Sequence, residues 1–342
     1  MTRLVVLVVS GLAMTACSNG STGSDSCRDE ADCATTVQTA STTDGRREST
    51  AAASTLAVDA TSTVPASAHA WNAADAAVLG VEPEVLYVAA TGSGAGEFGL
   101  EDCRECDPGR PWQPLVDSAG RIIVADTMNR RWVTIEQGSF LTVPYPSTSD
   151  VTGLALGPND IVYVLYAEAD GSDLLAAYSS SNLAEPLRST AVTAPRFSRL
   201  TFVADTVLVN GGQRVPLVEG HSRRPVVTPA FNSSPPTLAV SFEDGSAASW
   251  LLADRQSPML PEGLENQSVF VAGVDDSHAP TQTFVGYELT PDGLASGVAM
   301  PGGSDALNGG LFVDGVGIVR LRHDLSRDVW LIERFPLPST IG

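Results

Sequence analysis

The chain has 342 residues, of which 43% are hydrophobic and only 6% aromatic, so a core must consist mainly of aliphatic side chains. Its formal net charge is −20, which excludes the basic surface that nucleic-acid binding requires. All twenty basic residues are Arg, so chemistry that needs a Schiff-base lysine or a phosphate-binding lysine is also excluded.

The N-terminus has the features of an export signal. Arg3 precedes an apolar stretch over residues 4–16 that is too short to cross a bilayer core of about 30 Å. Cys17 follows Met14-Thr15-Ala16, and this arrangement resembles the lipobox of bacterial lipoproteins. The resemblance implies a signal peptide over 1–16 and acylation of Cys17, for example by palmitate. It also implies anchoring on the outer face of the cell membrane, or in the periplasm or outer membrane of a Gram-negative cell. The alternative is an ordinary secretory signal with a chance Cys.

Residues 17–80 are predicted to be a disordered tether. They are rich in Ser, Thr, Ala and Asp, and between residues 18 and 70 the only Leu is Leu56. Such a composition buries too little apolar area to offset its conformational entropy. A short helix docking onto the following domain is the expectation for residues 71–80.

From residue 84 the pattern changes to short β-rich runs separated by Gly-, Asp- and Asn-containing turns. Comparable first strands fall near residues 115, 154, 201, 239, 270 and 312, at intervals of about forty residues, one four-stranded blade each. This spacing predicts an all-β domain over 84–342, a β-propeller with six four-stranded blades. Because the last unit is one strand short, residues 85–90 are predicted to complete it by pairing with residues 329–334.

Residues 92–133 resemble an NHL repeat, a β-propeller blade motif. The residues that carry the resemblance are Gly92, Gly94, Gly96, Phe98, Pro114, Val116, Asp117, Gly120 and the run Val124-Ala125-Asp126-Thr127 with Asn129 and Arg131. Asp and Asn at this spacing can cap a tight turn through hydrogen bonds to the backbone. The chain departs from the motif by an insertion between Phe98 and Pro114. Insertions on a rigid scaffold often carry function, so this loop is a candidate binding element.

Four cysteines remain besides Cys17: Cys27, Cys33, Cys103 and Cys106. An even number in an exported protein predicts two disulfides, with three possible connectivities. Redox or metal-binding cysteines, or free thiols, are the alternatives.

The sequence contains no catalytic motif: neither H-x-x-x-H nor G-x-S-x-G occurs. The loops that link second and third strands share one face of the predicted fold, which also carries the insertion. Their polar side chains are candidate ligand contacts, namely Asp126, Asn129, Arg131, Asp170, Asp173, Asp275, Asp276, His278, His323 and Asp324, and Asp328 lies beside them. Carboxylates could hold calcium or another divalent cation. Solvation alone also explains polar loops, and no cofactor is expected.

These observations predict a membrane-anchored, extracytoplasmic propeller that acts as a binding or interaction module for a protein or carbohydrate. One alternative is a propeller enzyme of the hydrolase, lactonase or lyase type with a divalent cation in its channel. Another is a structural component of the cell envelope.

Overall fold

The computed structural model describes residues 67–69, 77–100, 111–145, 150–168, 171–194, 199–209, 212–230, 237–243, 246–251, 262–264, 268–275, 283–290, 295–300, 311–313 and 316–337. All of them belong to one unit of the chain, Ala60–Gly342. The predicted signal peptide, most of the predicted tether and all five cysteines lie outside the described residues. Apart from one 3-10 turn at Pro158–Asp160, the regular elements are β-strands.

Four strands precede residue 100: β1 (Ser67–His69), β2 (Ala77–Gly80), β3 (Glu84–Thr91) and β4 (Glu97–Phe98). Three sheets then follow in chain order. Sheet I comprises β5 (Leu115–Val116), β6 (Ile122–Asp126), β7 (Arg131–Glu136) and β8 (Ser139–Pro144). Sheet II comprises β9 (Asp150–Leu156), β10 (Ile161–Ala167), β11 (Asp173–Ser179) and β12 (Arg188–Val192). Sheet III comprises β13 (Leu200–Val203), β14 (Thr206–Val209) and β15 (Gln213–Pro216).

The three later sheets each include a strand from the N-terminal segment. Sheet IV has the order β16 (Val226–Ala230), β17 (Thr237–Ser241), β18 (Ala247–Leu251) and β1. Sheet V has the order β19 (Glu262–Gly263), β20 (Val269–Asp275), β21 (Thr283–Leu289), β22 (Ala295–Met300) and β2. Sheet VI has the order β23 (Leu311–Val313), β24 (Gly317–Asp324), β25 (Val329–Pro336), β3 and β4.

Apart from the N-terminal strands β1–β4, consecutive strands within each sheet pair antiparallel as a meander, the arrangement of a propeller blade. The prediction of an all-β propeller is therefore confirmed. Five sheets have the four or more strands of a complete blade, whereas sheet III has three within the described residues. The predicted count of six four-stranded blades is thus not confirmed.

Apolar side chains pack between neighbouring sheets. On β10, Val162 and Val164 face the core shared with sheets I and VI, while the alternate residues Tyr163 and Leu165 face the core shared with sheet III. Two further clusters lie between sheets IV and V and between sheets V and VI. Because side chains alternate along a strand, burial of both faces explains why β10 is an almost continuous apolar run.

The predicted closure of the ring by the N-terminal strand is confirmed. β3 pairs antiparallel with β25, with Val329 opposite Ala90 and Ile332 opposite Tyr87. The register shifts after Ile332, so Glu333 lies opposite Val85 and Leu86 is the extra residue of a β-bulge. One sheet thereby joins both ends of the domain.

The segment just before β3 differs from its prediction. Ala77–Gly80, expected at the end of a short helix, is a strand that pairs parallel with β22. Ser67–His69, inside the predicted tether, pairs parallel with β18. The hydrophobic periodicity of the sequence does not predict such strands, because they are short and each forms by pairing with the edge strand of an existing sheet.

Candidate functional site

The loop face of the domain is the end where β3 leads into the Gly-rich segment 92–100 and where the hairpins β6–β7 and β24–β25 turn. Two polar clusters lie there. The loop clamp consists of Asp126, Asn129 and Arg131, and the histidine centre consists of Thr91, His323, Asp328 and Trp330.

Asp126 is at the centre of the loop clamp. It ends β6, its side chain is fully buried, and its Oδ1 accepts a hydrogen bond from the backbone N–H of Gly99 at 3.1 Å. Its Oδ2 accepts from Asn129 Nδ2 at 2.7 Å and from Arg131 Nε at 3.0 Å. A buried carboxylate requires partners of this kind, and here an amide, a guanidinium and a backbone N–H supply them.

Arg131 extends the clamp onto the Gly-rich segment. Its guanidinium donates to the carbonyl oxygens of Ser93 at 3.2 Å, Gly94 at 3.0 Å and Glu97 at 2.7 Å. Asn129 Nδ2 adds a bond to the carbonyl oxygen of Gly92 at 3.0 Å. The planar, always-charged guanidinium can donate to these carbonyl oxygens at the same time, so the clamp fixes the backbone path of residues 92–99.

Glycine is required at one point of this segment. A Cβ on Gly99 would lie 2.4 Å from Met128 Cβ and 3.1 Å from Asp126 Oδ1. The backbone of residue 99 can approach the β6–β7 hairpin this closely only without a side chain.

The far end of the same connection is fixed to the same strand. The backbone N–H of Trp112 donates to the carbonyl oxygen of Ala125 at 2.9 Å, and Gln113 Nε2 donates to that of Leu154 at 3.1 Å. Residues 101–110, with Cys103 and Cys106, lie outside the described residues. Both flanks of the insertion are therefore held by sheet I, one of them through the NHL-like residues.

The histidine centre joins the N-terminal strand β3 to the β24–β25 hairpin. His323 Nε2 lies 3.1 Å from Thr91 Oγ1 and 3.2 Å from Asp328 Oδ1. The imidazole also packs on the indole of Trp330, with ring centroids 4.8 Å apart. Its side chain is only 9% exposed, whereas that of Asp328 is 74% exposed.

This geometry differs from a nucleophilic triad. In a triad the hydroxyl and the carboxylate contact opposite nitrogens of the imidazole ring. The imidazole can then accept the proton of the hydroxyl at one nitrogen, while the carboxylate at the other nitrogen orients the ring. Here Thr91 and Asp328 share Nε2. The arrangement therefore ties the hairpin to the end of β3 and does not prepare Thr91 as a nucleophile.

Asp324 holds the hairpin turn. Its Oδ1 accepts from the hydroxyl of Ser326 at 2.6 Å and from the backbone N–H of Ser326 at 3.0 Å. The hydroxyl bond is the main reason that the pKa of Asp324 is lowered.

The remaining candidates are dispersed. Asp173 begins β11, where its Oδ2 accepts from the backbone N–H of Ala194 at 2.8 Å. Asp275 ends β20. Three more, Asp170, Asp276 and His278, lie outside the described residues. As ligand contacts, all ten candidates remain predictions, and Asp126, Asn129, Arg131, Asp173, His323 and Asp324 have partners within the protein.

Sequence reasoning missed Thr91 and Trp330. The predicted pairing of residues 85–90 with residues 329–334 contained the signal, because it brings residue 91 to the start of β25. Within the described residues, no group of three or more His, Cys, Asp or Glu side chains could hold a metal ion. In that same part of the chain, no helix is long and apolar enough to cross a membrane.

No family model matches the chain, so the NHL-like resemblance remains a prediction. No curated protein matches either. Among solved structures, the chain is similar to a catalytically inactive virginiamycin B lyase from Staphylococcus aureus with quinupristin. The identity is 12%, over 69% of this chain and 98% of that chain, with a TM-score of 0.37.

Two further solved structures resemble the chain. A streptogramin B lyase has 12% identity over 74% of this chain and 97% of that chain, with a TM-score of 0.32. The PQQ-bound aldose sugar dehydrogenase from Streptomyces coelicolor has 14% identity over 74% and 97%, with a TM-score of 0.35. At these values the likeness concerns the fold and not an activity.

Proposed function

We propose that the protein is an exported lipoprotein in which acylated Cys17 and the following tether hold the propeller outside the membrane. The loop face is then a binding surface for a protein or carbohydrate of the cell envelope. One observation supports this role above the others. The NHL-like residues and their strand fix both flanks of the insertion at residues 99–113, so the insertion starts and ends on a rigid base.

A binding role fits the chemistry of the loop face better than catalysis does. Asp126, the buried carboxylate of the clamp, has both oxygens engaged by donors of its own chain. His323 has its hydroxyl and carboxylate partners on one nitrogen. Both arrangements stabilise loops, and stable loops pre-organise a binding surface. We further propose that Cys27, Cys33, Cys103 and Cys106 form two disulfides, as expected for an exported chain.

Fractionation of cells that express the Cys17→Ser variant tests the anchor. Wild-type protein should be in the membrane fraction and carry lipid mass on its N-terminal peptide, whereas Cys17→Ser should be soluble. Cys27→Ser is the matched control and should fractionate like wild type. If Cys17→Ser stays membrane-bound and wild type carries no lipid, the anchor proposal is wrong.

A second experiment separates binding from catalysis. The purified domain is analysed for metal and screened against cell-wall glycans and envelope proteins, with a variant whose residues 101–110 are replaced by a Gly-Ser linker. The binding proposal predicts that this variant loses capture of the ligand at an unchanged melting temperature, while Leu141→Ala on the exposed outer strand retains it. A stoichiometric divalent cation together with turnover of a substrate would establish the enzyme alternative.

A further inference from the structure

Four buried side-chain nitrogen or oxygen atoms have no hydrogen-bond partner in the part of the chain that the structure describes. They are Trp132 Nε1, Tyr145 Oη, Trp330 Nε1 and Arg334 Nε. Two of the four belong to one ring pair, because Trp132 and Tyr145 pack edge to face with their ring centroids 5.1 Å apart. A buried donor without an acceptor costs free energy, so two such donors on contacting side chains require an explanation.

This ring pair lies between sheets I and II, beside two tyrosines of sheet II. The ring centroid of Tyr178 is 6.1 Å from that of Trp132, and that of Tyr166 is 6.4 Å from that of Tyr145. We call these four side chains the aromatic cluster. Trp132, Tyr166 and Tyr178 are each at most 1% exposed, and the hydroxyl of Tyr145 is buried as well. Bulk solvent therefore does not satisfy the polar atoms of the cluster.

The polar atoms of the aromatic cluster converge. Tyr166 Oη lies 3.2 Å from Tyr178 Oη. Burial is the main cause of the raised pKa of Tyr166, followed by Tyr178 and then Tyr145, whereas the indole N–H of Trp132 lowers this pKa. The indole N–H is therefore near the Tyr166 hydroxyl, although the two groups do not form a hydrogen bond. The tyrosine pair uses only one of its two hydroxyl hydrogens for its own bond. Three hydrogens of the cluster thus have no acceptor among the described residues.

We propose that one internal water molecule is bound in the aromatic cluster, where it accepts hydrogen bonds from Trp132 Nε1 and Tyr145 Oη and contacts the Tyr166–Tyr178 pair. An internal water requires roughly two to four polar partners, and the cluster supplies that number. The water also donates hydrogens of its own, so it bonds to the tyrosine hydroxyl oxygens at the same time.

The surroundings favour water over a halide ion, which the three hydrogens alone would also suit. An anion donates no hydrogen, so it leaves the lone pairs of the tyrosine oxygens unused. Burial is the main cause of the raised pKa of Tyr145, and the next largest is the negative charge of Asp126, which outweighs the opposite effect of Arg130. A negative charge this close repels an anion and not a neutral molecule.

The water joins sheet I to sheet II directly behind the loop clamp. Trp132 follows Arg131 of the clamp in β7. The backbone N–H of Tyr145 donates to the carbonyl oxygen of Arg130 at 3.0 Å, so both orphan donors lie at the base of the β6–β7 hairpin. A water shared with the two tyrosines of sheet II bonds this hairpin to the neighbouring blade. The inference does not depend on the proposed binding role.

A high-resolution crystal structure of the full chain tests the site directly. The proposal predicts one peak of electron density at about 2.7 to 3.2 Å from both Trp132 Nε1 and Tyr145 Oη. An absence of density between these two atoms would overturn the proposal. An anomalous signal at this position in a bromide-soaked crystal would assign the site to an anion and would overturn it as well.

Tyr145→Phe tests the same contact in solution, because it removes the hydroxyl and keeps the ring. If the hydroxyl is bonded to a water, its loss should raise the equilibrium constant of unfolding about fivefold in urea titrations. A hydroxyl buried without any partner would give the opposite result, because its removal relieves a desolvation cost. Tyr87→Phe, outside the cluster, is the matched control and should change the constant by less than about twofold. An unchanged or lowered unfolding constant for Tyr145→Phe would show that the cluster is dry.

Discussion

Asp126 and Arg131 lie opposite each other in the β6–β7 hairpin and form an ion pair, with Nε 3.0 Å from Oδ2. The carboxylate is fully buried, and the guanidinium continues to three carbonyl oxygens of the Gly-rich segment. One side chain thus couples the hairpin of sheet I to the loop that leaves β3.

Arg131→Ala should lower the free energy of unfolding by about 3 kcal/mol, because it leaves the Asp126 carboxylate buried with one cationic partner removed. Urea unfolding followed by tryptophan fluorescence measures the change. Arg327→Ala, on the exposed turn of the β24–β25 hairpin, is the control and should change stability by less than about 0.5 kcal/mol. Equal effects of the two substitutions would show that the clamp does not stabilise the domain.

The residues of the loop clamp could be selected from the sequence, because they lie within a few positions of one another, but their role could not. They were expected to cap the local turn, whereas their bonds to backbone groups go to residues 92–99, which are 27 to 38 positions away. The closing strand was predictable from a strand shortage in the last unit. The contact of Thr91 with His323, 232 positions away, was missed, although the predicted pairing brings residue 91 to the start of β25; the strand pattern does not show which side chains meet at that end of the sheet. β1 and β2 were missed for a different reason. The sequence of a short strand at the edge of a sheet shows no alternation of apolar and polar residues. Its strand conformation depends on pairing with the neighbouring strand, which the local sequence does not show.

Glu333 makes the stability of sheet VI sensitive to acid. Its side chain is 4% exposed and lies between Arg320 and Arg322, with Oε1 2.8 Å from a guanidinium nitrogen of Arg322. Burial alone would raise the pKa of Glu333, but the hydrogen bonds and charges of the two arginines outweigh it and lower the pKa.

A carboxyl group whose pKa is lower in the folded state stabilises the fold above the unfolded-state pKa, which is about 4.3 for Glu. This contribution is lost as the pH falls below that value through the folded-state pKa. Wild type should therefore lose stability in this acidic range, and Glu333→Gln should show a flatter profile there.

At pH 7, Glu333→Gln should be less stable by about 3 kcal/mol, because Arg320 is 1% exposed and would lose its charged partner. Glu136→Gln, on the exposed end of β7, is the control. Thermal unfolding between pH 3 and pH 7 measures both effects, and parallel profiles for wild type and Glu333→Gln would contradict this role of Glu333.

Tyr166 should make the domain sensitive to alkali. Its hydroxyl is buried and lies 3.2 Å from that of Tyr178, and burial, followed by the hydrogen bond to Tyr178, raises the pKa of Tyr166 far above its usual value. A group with a raised folded-state pKa stabilises the fold below its unfolded-state pKa, about 10 for Tyr, and this contribution is lost as the pH rises above it.

Tyr166→Phe should therefore cost about 1 kcal/mol at pH 7, through the lost hydrogen bond, and reduce the loss of stability between pH 9 and pH 11. Tyr87→Phe, at the ring that stacks on Phe140, controls for removal of a tyrosine hydroxyl outside this cluster. Unfolding by urea at several pH values measures the difference. The same alkaline slope in Tyr166→Phe and wild type would contradict the prediction.

The binding role requires a closed ring, and the pairing of β3 with β25 closes it. A disulfide between Ala90→Cys and Val329→Cys tests this pairing, because the two residues lie directly opposite each other. Mass spectrometry of the oxidised, digested double variant should find the peptide of residue 90 linked to that of residue 329, and the cross-linked domain should melt at a higher temperature. The control pair Val85→Cys and Val329→Cys is separated by about 16 Å along the strand and should remain unlinked. A linked control pair, or no link between residues 90 and 329, would contradict the closed propeller.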